Sequence, residues 1–407
     1  MSLSKRIQNF FASPKGRLTG LWLSYFLYWG SIAPFVPYVG LYYDSVGLTG
    51  TQIGTLNSVR AIVSFVSAIA IAFLTDLLRR RKLIFVLCIL GMIAALFIFP
   101  FAVSFATLLP VIALYSAFQA PAIAILDQDT LSTLENPRNY SKVRVGGSYG
   151  WGIIIFFAGL IIDRPGMPLT IIFSLHIFFL LVLLLLVAFT PKTDPAASAE
   201  KASFKDVRDL FRKPGFMLWM GMVFLFGMAE ASLINFLFLH IRNIGGSASL
   251  MGLAMTFAII GEIIGFNFAR RLQGRVGSRR MIVLAFAIRT IWYILIGLNH
   301  IPLFVLPIMI LAGGSFSLIE AGSVAYVNER SPSRIGTTAQ GVRSSILMRI
   351  SAALGSLFAG AIYQRSGSAR MYLIMAIISI VSLILAAFLR NAERRREAMA
   401  KNSMAGQ

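Results

Sequence analysis

Polar positions along this chain do not alternate with apolar ones; they gather into short intervals between long apolar runs. A run must hold about 20 apolar residues, with its backbone satisfied internally, to cross a bilayer as a helix. Measured against that length, the chain predicts spans at about 18–43, 51–76, 82–103, 105–133, 141–163 and 168–190, then about 214–241, 249–272, 280–299, 302–328, 337–364 and 370–389. These fall into two sets of six, separated by the polar interval from Pro191 to Lys213. Within the interval, Phe204, Val207, Leu210 and Phe211 set against Lys205, Asp206, Arg208 and Arg212 make a short amphipathic piece suited to the membrane surface. The expected domains are an N-terminal bundle (1–190), a cytoplasmic linker (191–213), a C-terminal bundle (214–390) and a basic tail (391–407). The expected fold class is an all-α integral membrane protein of about twelve transmembrane helices in two pseudo-symmetric six-helix bundles.

Composition agrees: 57% of residues are hydrophobic, 13% are charged and mean hydropathy is +0.78. A net charge of +21 raises nucleic acid as a partner. The basic residues, however, cluster in loops on one face, at Arg79-Arg80-Arg81-Lys82, Arg138/Lys142, Lys201 to Lys213, Arg270 to Arg280, Arg330/Arg334 and Arg390 to Arg396. The positive-inside rule accounts for that distribution, places the termini and linker in the cytoplasm, and excludes nucleic-acid binding; a multi-pass protein of the inner membrane is expected. The N-terminal basic residues Lys5, Arg6, Lys15 and Arg17 precede an apolar run too long for a cleaved signal, so it should stay as the first span. Cys88 is the lone cysteine, and His176, His240 and His300 have no metal-ligand spacing. Neither a nucleophile nor a phosphate loop stands out, so no enzyme and no cofactor is expected.

Charges inside the spans carry the functional reading, because each costs several kcal/mol unless it meets a partner or a wet cavity. Asp127 lies about two turns before the polar turn at Glu135 to Asn139, and Arg144 about one turn after it, so an antiparallel pair brings them to comparable depth. Trp151 follows Arg144 by seven positions and returns to the same helix face. Asp129, Arg60, Glu230, Glu262, Arg289, Glu320, Arg343 and Arg349 are the other intramembrane charges. All of them also have a plainer reading as ion pairs that fix helix register. Gly146 and Gly150 suit close helix packing, while Trp22, Trp29 and Trp219 lie toward span ends as interfacial anchors.

The two halves repeat. Gly47 to Gly54 (GLTGTQIG) matches Gly245 to Gly252 (GGSASLMG), each followed by an apolar span and a basic turn, and Phe157-Ala158-Gly159 matches Phe358-Ala359-Gly360. With these residues the chain resembles the major facilitator superfamily over essentially its whole length. Asp76, followed by Arg80 and Arg81 in Ala72-Phe-Leu-Thr-Asp-Leu-Leu-Arg-Arg-Arg-Lys82, is similar to that superfamily's loop between the second and third spans, though Ala72, Leu77 and Arg79 depart from its pattern. Ala120-Pro121, Asp127, Thr130-Leu131, Arg144, Gly147, Gly150 and Trp151 resemble the lactose permease group, the oligosaccharide, nucleoside and phenylpropionate proton symporters. The resemblance implies that Asp127, Arg144 and Trp151 bind substrate, and that Glu262 and Arg289 take part in proton coupling. Ala312 and Ser315 stand where the group has a histidine and a carboxylate, and Glu320 lies nearly two turns on.

The sequence thus leads to a secondary transporter of a small polar solute, working by alternating access and driven by protons in symport. Asp127, Arg144, Trp151, Arg60 and Arg349 are the expected substrate residues; Glu262, Glu320, Arg289 and Glu230 the expected coupling residues; Asp76, Arg80 and Arg81 the expected conformational loop. The expected partners are the substrate and the bilayer, the chain acting as a monomer. A proton-driven drug or metabolite exporter is the alternative, although the fifth span lacks the Gly-Pro-rich motif typical of antiporters. A non-transporting receptor or scaffold would need no such intramembrane charges.

Overall fold

The computed structural model describes residues 9–78, 80–134, 140–190, 214–330, 340 and 343–405, and among these the regular elements are all helical. The linker and the polar turn after Leu134 lie outside the described residues. Ten helices among those described are long and apolar enough to cross a bilayer. Two features reconcile that number with twelve spans. The first span is Pro14–Ile32 continued by Val39–Ser45, with the backbone turning between. Its helix breaks after Ile32 and carries Lys15 and Arg17 along with tyrosines, serines and glycines, so it is less apolar than the other spans, and Ser24, Tyr25 and Tyr28 are buried in protein. At the other end, Ser351–Ala386 holds two spans joined at Gly367 (φ 76°), just as the eighth and ninth join inside Ala248–Leu298 at Gly277 (φ 81°). Positive φ of this kind is the glycine turn that ends one helix before the next.

The remaining spans are Gly50–Leu78, Arg81–Ile98, Phe105–Thr133, Tyr140–Ile162, Ile171–Phe189, Pro214–Asn243 and Val305–Arg330. The fourth, Phe105–Thr133, starts on a capping box between Ser104 and Thr107 and tolerates Pro110 and Pro121 within it. A π-helical turn, Ile346–Ile350, opens the eleventh span and contains Arg349.

The chain forms two compact units, Met1–Ser198 with Asn235–Thr256, and Ala199–Ile234 with Phe257–Gln407. The end of the seventh span and the start of the eighth therefore pack with the N-terminal helices, although the chain order would assign them to the second bundle.

Within the first unit, small residues let backbones touch. A Cβ on Gly146 would lie 2.5 Å from the Trp22 carbonyl, and one on Gly150 would overlap the carbonyl of Phe26, so the fifth span lies directly against the first. Likewise a Cβ on Gly252 would come within 2.6 Å of the Ile155 carbonyl, and Tyr38 Oη donates to the Ala248 carbonyl at 3.0 Å. In the second unit, Trp219 is 1% exposed and stacks on Tyr326 at 5.1 Å. It is therefore a core residue rather than the interfacial anchor its position suggested, because its ring fills the hydrophobic cluster with Phe226, Met281 and Phe286.

Asp163, just past the fifth span, fastens the eighth helix. Its Oδ1 accepts from Ala248 N at 2.8 Å and its Oδ2 from Ser249 N at 2.7 Å, satisfying two orphan donors at the positive end of that helix. Partial burial works to raise its pKa, but the bonds from Ser249, Ala248 and Ser247 outweigh it and hold the carboxyl below its usual value of 3.8. A carboxyl depressed on folding stabilises above its unfolded pKa and loses that contribution as pH falls through the folded value. Asp163→Asn should therefore lower the melting temperature at pH 7 by an amount equivalent to about 0.5–1 kcal/mol, with the gap to wild type closing below about pH 3.8. Equal melting of variant and wild type at pH 7 would rule out the cap.

Candidate functional site

The first, fourth and fifth spans bring together three of the five predicted substrate residues, Asp127, Arg144 and Trp151. Asp127 Oδ1 accepts two hydroxyls, from Tyr25 at 2.6 Å and Tyr140 at 2.7 Å. The Arg144 guanidinium lies over the ring of Trp29 at 4.7 Å and that of Tyr25 at 5.4 Å. Trp29 meets Trp151 edge to face at 6.1 Å. Asp127, Arg144 and Trp151 thus share one wall, but residues of the first span connect them. Tyr28 extends it, its hydroxyl donating to the Gln119 carbonyl at 2.7 Å.

Two features of this wall suit a ligand. Among the described residues Arg144 has no ion-pair or hydrogen-bond partner, so its planar fork is held on aromatic faces with its donors unengaged. The Trp29 indole N–H is buried and also lacks a partner. Gly147 makes room for this arrangement, since a Cβ there would stand 2.5 Å from the Trp29 ring and 2.8 Å from Arg144 Nη1. Tyr25, Tyr28 and Trp29 escaped the sequence reading, which took Trp29 for an anchor. Their spacing of three and four, which sets Tyr25, Tyr28 and Trp29 on one helix face, was the available signal.

In the second unit the charges are paired. Arg289 is fully buried, with Nη1 3.1 Å from Glu230 Oε2 and Nη2 donating to the Ala312 carbonyl at 2.9 Å. Neither Nη1 nor Oε2 makes a directed hydrogen bond, so the attraction between them is chiefly of charge. Phe226 and Trp292 flank the guanidinium, each at 5.3 Å. Glu320 takes both arms of Arg343, at 2.7 and 2.8 Å, and Gln340 accepts from Arg343 Nε at 3.0 Å. The partner of Glu320 is thus Arg343 and that of Arg289 is Glu230. Glu262 is half-buried beside the tenth span, where Gly313 approaches its backbone, and Arg349 is half-buried in the π turn.

At the loop after the second span, Arg81 Nη1 donates to Ser132 Oγ at 2.9 Å and lies 3.9 Å from Asp129. Arg80 is exposed, and Arg79 and the Asp76 side chain lie outside the described part. Asp129 is thereby engaged with the third span and separate from the Asp127 wall.

The comparisons with known proteins agree with this architecture. The MFS_1 like family model matches residues 18–374, and the chain belongs to that family of transporters. It is 27% identical to the maltose permease of Geobacillus stearothermophilus, over 91% of this chain and 94% of the permease. It is 23% identical to a probable 3-phenylpropionic acid transporter of Escherichia coli, over 89% and 95% of the two chains. The fold matches that of the nucleoside transporter NupG, with a TM-score of 0.81, 16% identity, and coverage of 91% and 98%.

Lysine in place of Arg144 keeps the positive charge but loses the fork. Arg144→Lys should reduce substrate binding more than tenfold, with the melting temperature of the ligand-free protein unchanged, since no ion pair is broken. Wild-type uptake by this variant, measured in proteoliposomes, would remove Arg144 from the site.

Proposed function

We propose that this transporter takes up a small polar solute, of sugar, nucleoside or organic-acid type, in symport with protons. The unit that holds Asp127, Arg144 and Trp151 binds the solute, and the carboxylates of the other unit carry the coupling. The observation behind this reading is the unengaged Arg144 fork over Trp29 and Tyr25, beside an Asp127 already positioned by two tyrosines. Such a wall offers donors, acceptors and an aromatic face to a hydroxylated or carboxylated ligand. The relatives named for maltose and 3-phenylpropionic acid support that substrate range. The basic clusters support placement in the inner membrane with both termini cytoplasmic.

Coupling follows from the pairs in the second unit. A carboxylate that gains a proton releases its arginine, and the freed guanidinium then prefers a different partner, which biases one conformation over another. Glu230 is suited to this exchange by its undirected contact with Arg289, whereas Glu320 is held by two directed bonds to Arg343. Glu262 is the further candidate.

A second reading, export of drugs, draws on relatives named multidrug resistance protein MdtG, such as that of Enterobacter lignolyticus, 24% identical over 67% of this chain. A thermal-shift screen with maltose, nucleosides, 3-phenylpropionate and cationic dyes separates the readings. Stabilisation by a dye alone would favour export.

Coupling and binding should separate experimentally. Replacing a coupling carboxylate by Gln should abolish proton-driven accumulation while preserving exchange, because exchange never passes through the empty, deprotonated carrier. Glu230→Gln and Glu262→Gln are expected to behave in this way in proteoliposome uptake and counterflow. Glu230→Gln and Glu320→Gln each take the carboxylate from a buried arginine, Arg289 or Arg343, and both should melt earlier, at a cost of about 3–5 kcal/mol; Glu320→Gln, which also breaks two directed bonds, should lose both activities. Normal accumulation by both Glu230→Gln and Glu262→Gln would reject the coupling role.

A further inference from the structure

The first unit contains another arginine without a carboxylate. Arg60 lies on the second span about 15 Å from its Gly50 end, whereas Arg144 lies about 6 Å from the Tyr140 end of the fifth. Alternation of the spans puts those two helix ends on opposite faces of the membrane. The Arg60 contact among the described residues is with an amide, Nη2 donating to Asn235 Oδ1 at 3.3 Å, and no ion pair forms. The hydroxyls of Tyr43 and Tyr115 lie within electrostatic reach of the guanidinium. Both side chains are fully buried, and neither hydroxyl has a hydrogen-bond partner. His176, fully buried with both nitrogens unpartnered, packs against Tyr115 with ring centroids 5.7 Å apart.

Buried polar groups in native proteins are almost always satisfied, and an orphan hydroxyl or imidazole costs about 1–3 kcal/mol. Here two orphan hydroxyls lie within electrostatic reach of one half-buried cation that has no carboxylate, and an orphan imidazole packs against one of them. We propose that this cluster is an anion-binding station for the carboxylate group of the transported solute, which narrows the substrate class to monocarboxylates with an apolar body; this rests on the transport function and the Arg144 wall proposed above. A neutral sugar would satisfy the hydroxyls but leave the half-buried Arg60 charge without a counter-charge. A phosphate dianion would bring two charges to one arginine. A carboxylate brings one charge and about four acceptor sites, which match the Arg60 fork and the two tyrosine hydroxyls. Phe35, packed at 4.9 Å on Tyr115 and 5.4 Å on His176, supplies the apolar surface. Tyr28 interacts electrostatically with Tyr115 and with Asp127 and Arg144, which ties the station to the Arg144 wall.

The test uses the purified full-length chain and three probes: 3-phenylpropionate, its uncharged amide, and maltose. Wild type should bind the acid at least tenfold more tightly than the amide. Arg60→Gln should erase that preference while the ligand-free protein melts no lower, because no ion pair is broken. Tyr43→Phe/Tyr115→Phe, which keeps the packing, should weaken acid binding about three- to tenfold. The anion station falls if Arg60→Gln and the double tyrosine variant bind the acid as wild type does, or if Arg60→Gln lowers the ligand-free melting temperature. It also falls if maltose binds and the acid does not; when Arg144→Lys abolishes that maltose binding, the Arg144 site survives without the station. Acid binding indifferent to Arg60, Arg144 and the tyrosines alike overturns both.

Discussion

A charge inside a bilayer-spanning helix must be compensated, and the two units of this transporter meet that constraint differently. In the second unit compensation is internal: Arg289 lies against Glu230, and Arg343 is forked onto Glu320. In the first unit Asp127 is satisfied by tyrosine hydroxyls, while Arg144 and Arg60 rest on aromatic rings or an amide. Aromatic faces and amides offset only part of the cost of burying a guanidinium. The first unit thus leaves Arg144 and Arg60 without a carboxylate, whereas Arg289 and Arg343 of the second each face one.

Close backbone packing makes this possible. Gly146 and Gly150 bring the fifth span against the first, and Gly147 leaves the space in which Arg144 stacks on Trp29. A Cβ at Gly150 would meet the Phe26 carbonyl, so the first and fifth spans would separate and the cation would lose its aromatic bed. In the second unit a Cβ on Gly313 would come within 2.7 Å of the Glu262 backbone nitrogen, so the eighth and tenth spans make the same kind of approach beside a charged residue. Small residues at these crossings do more than permit packing: they set the distances at which the charged side chains work.

The first span shows how function overrides the membrane pattern. Its basic and polar residues make it less apolar than the other spans, yet Tyr25, Tyr28 and Trp29 each touch the candidate site. It tolerates that composition because Tyr25 and Tyr28 are buried in protein.

The helical membrane class and the approximate positions of the spans were legible in the sequence, and Asp127, Arg144 and the C-terminal carboxylates could be picked out as charges within them, because bilayer thickness dictates run length and a charge within a run is conspicuous whatever surrounds it. Partner choice was not legible. That Glu320 takes Arg343, that Arg289 takes Glu230, and that Asp129 turns to Arg81 depends on helix rotation and crossing distance, which glycine contacts and ring packing set between segments remote in the chain. Trp219 and Trp29 looked alike as aromatic residues near span ends. Only tertiary packing put the first in a core cluster and the second beneath an arginine, because burial is a property of what lies opposite a residue, and the chain order does not specify that.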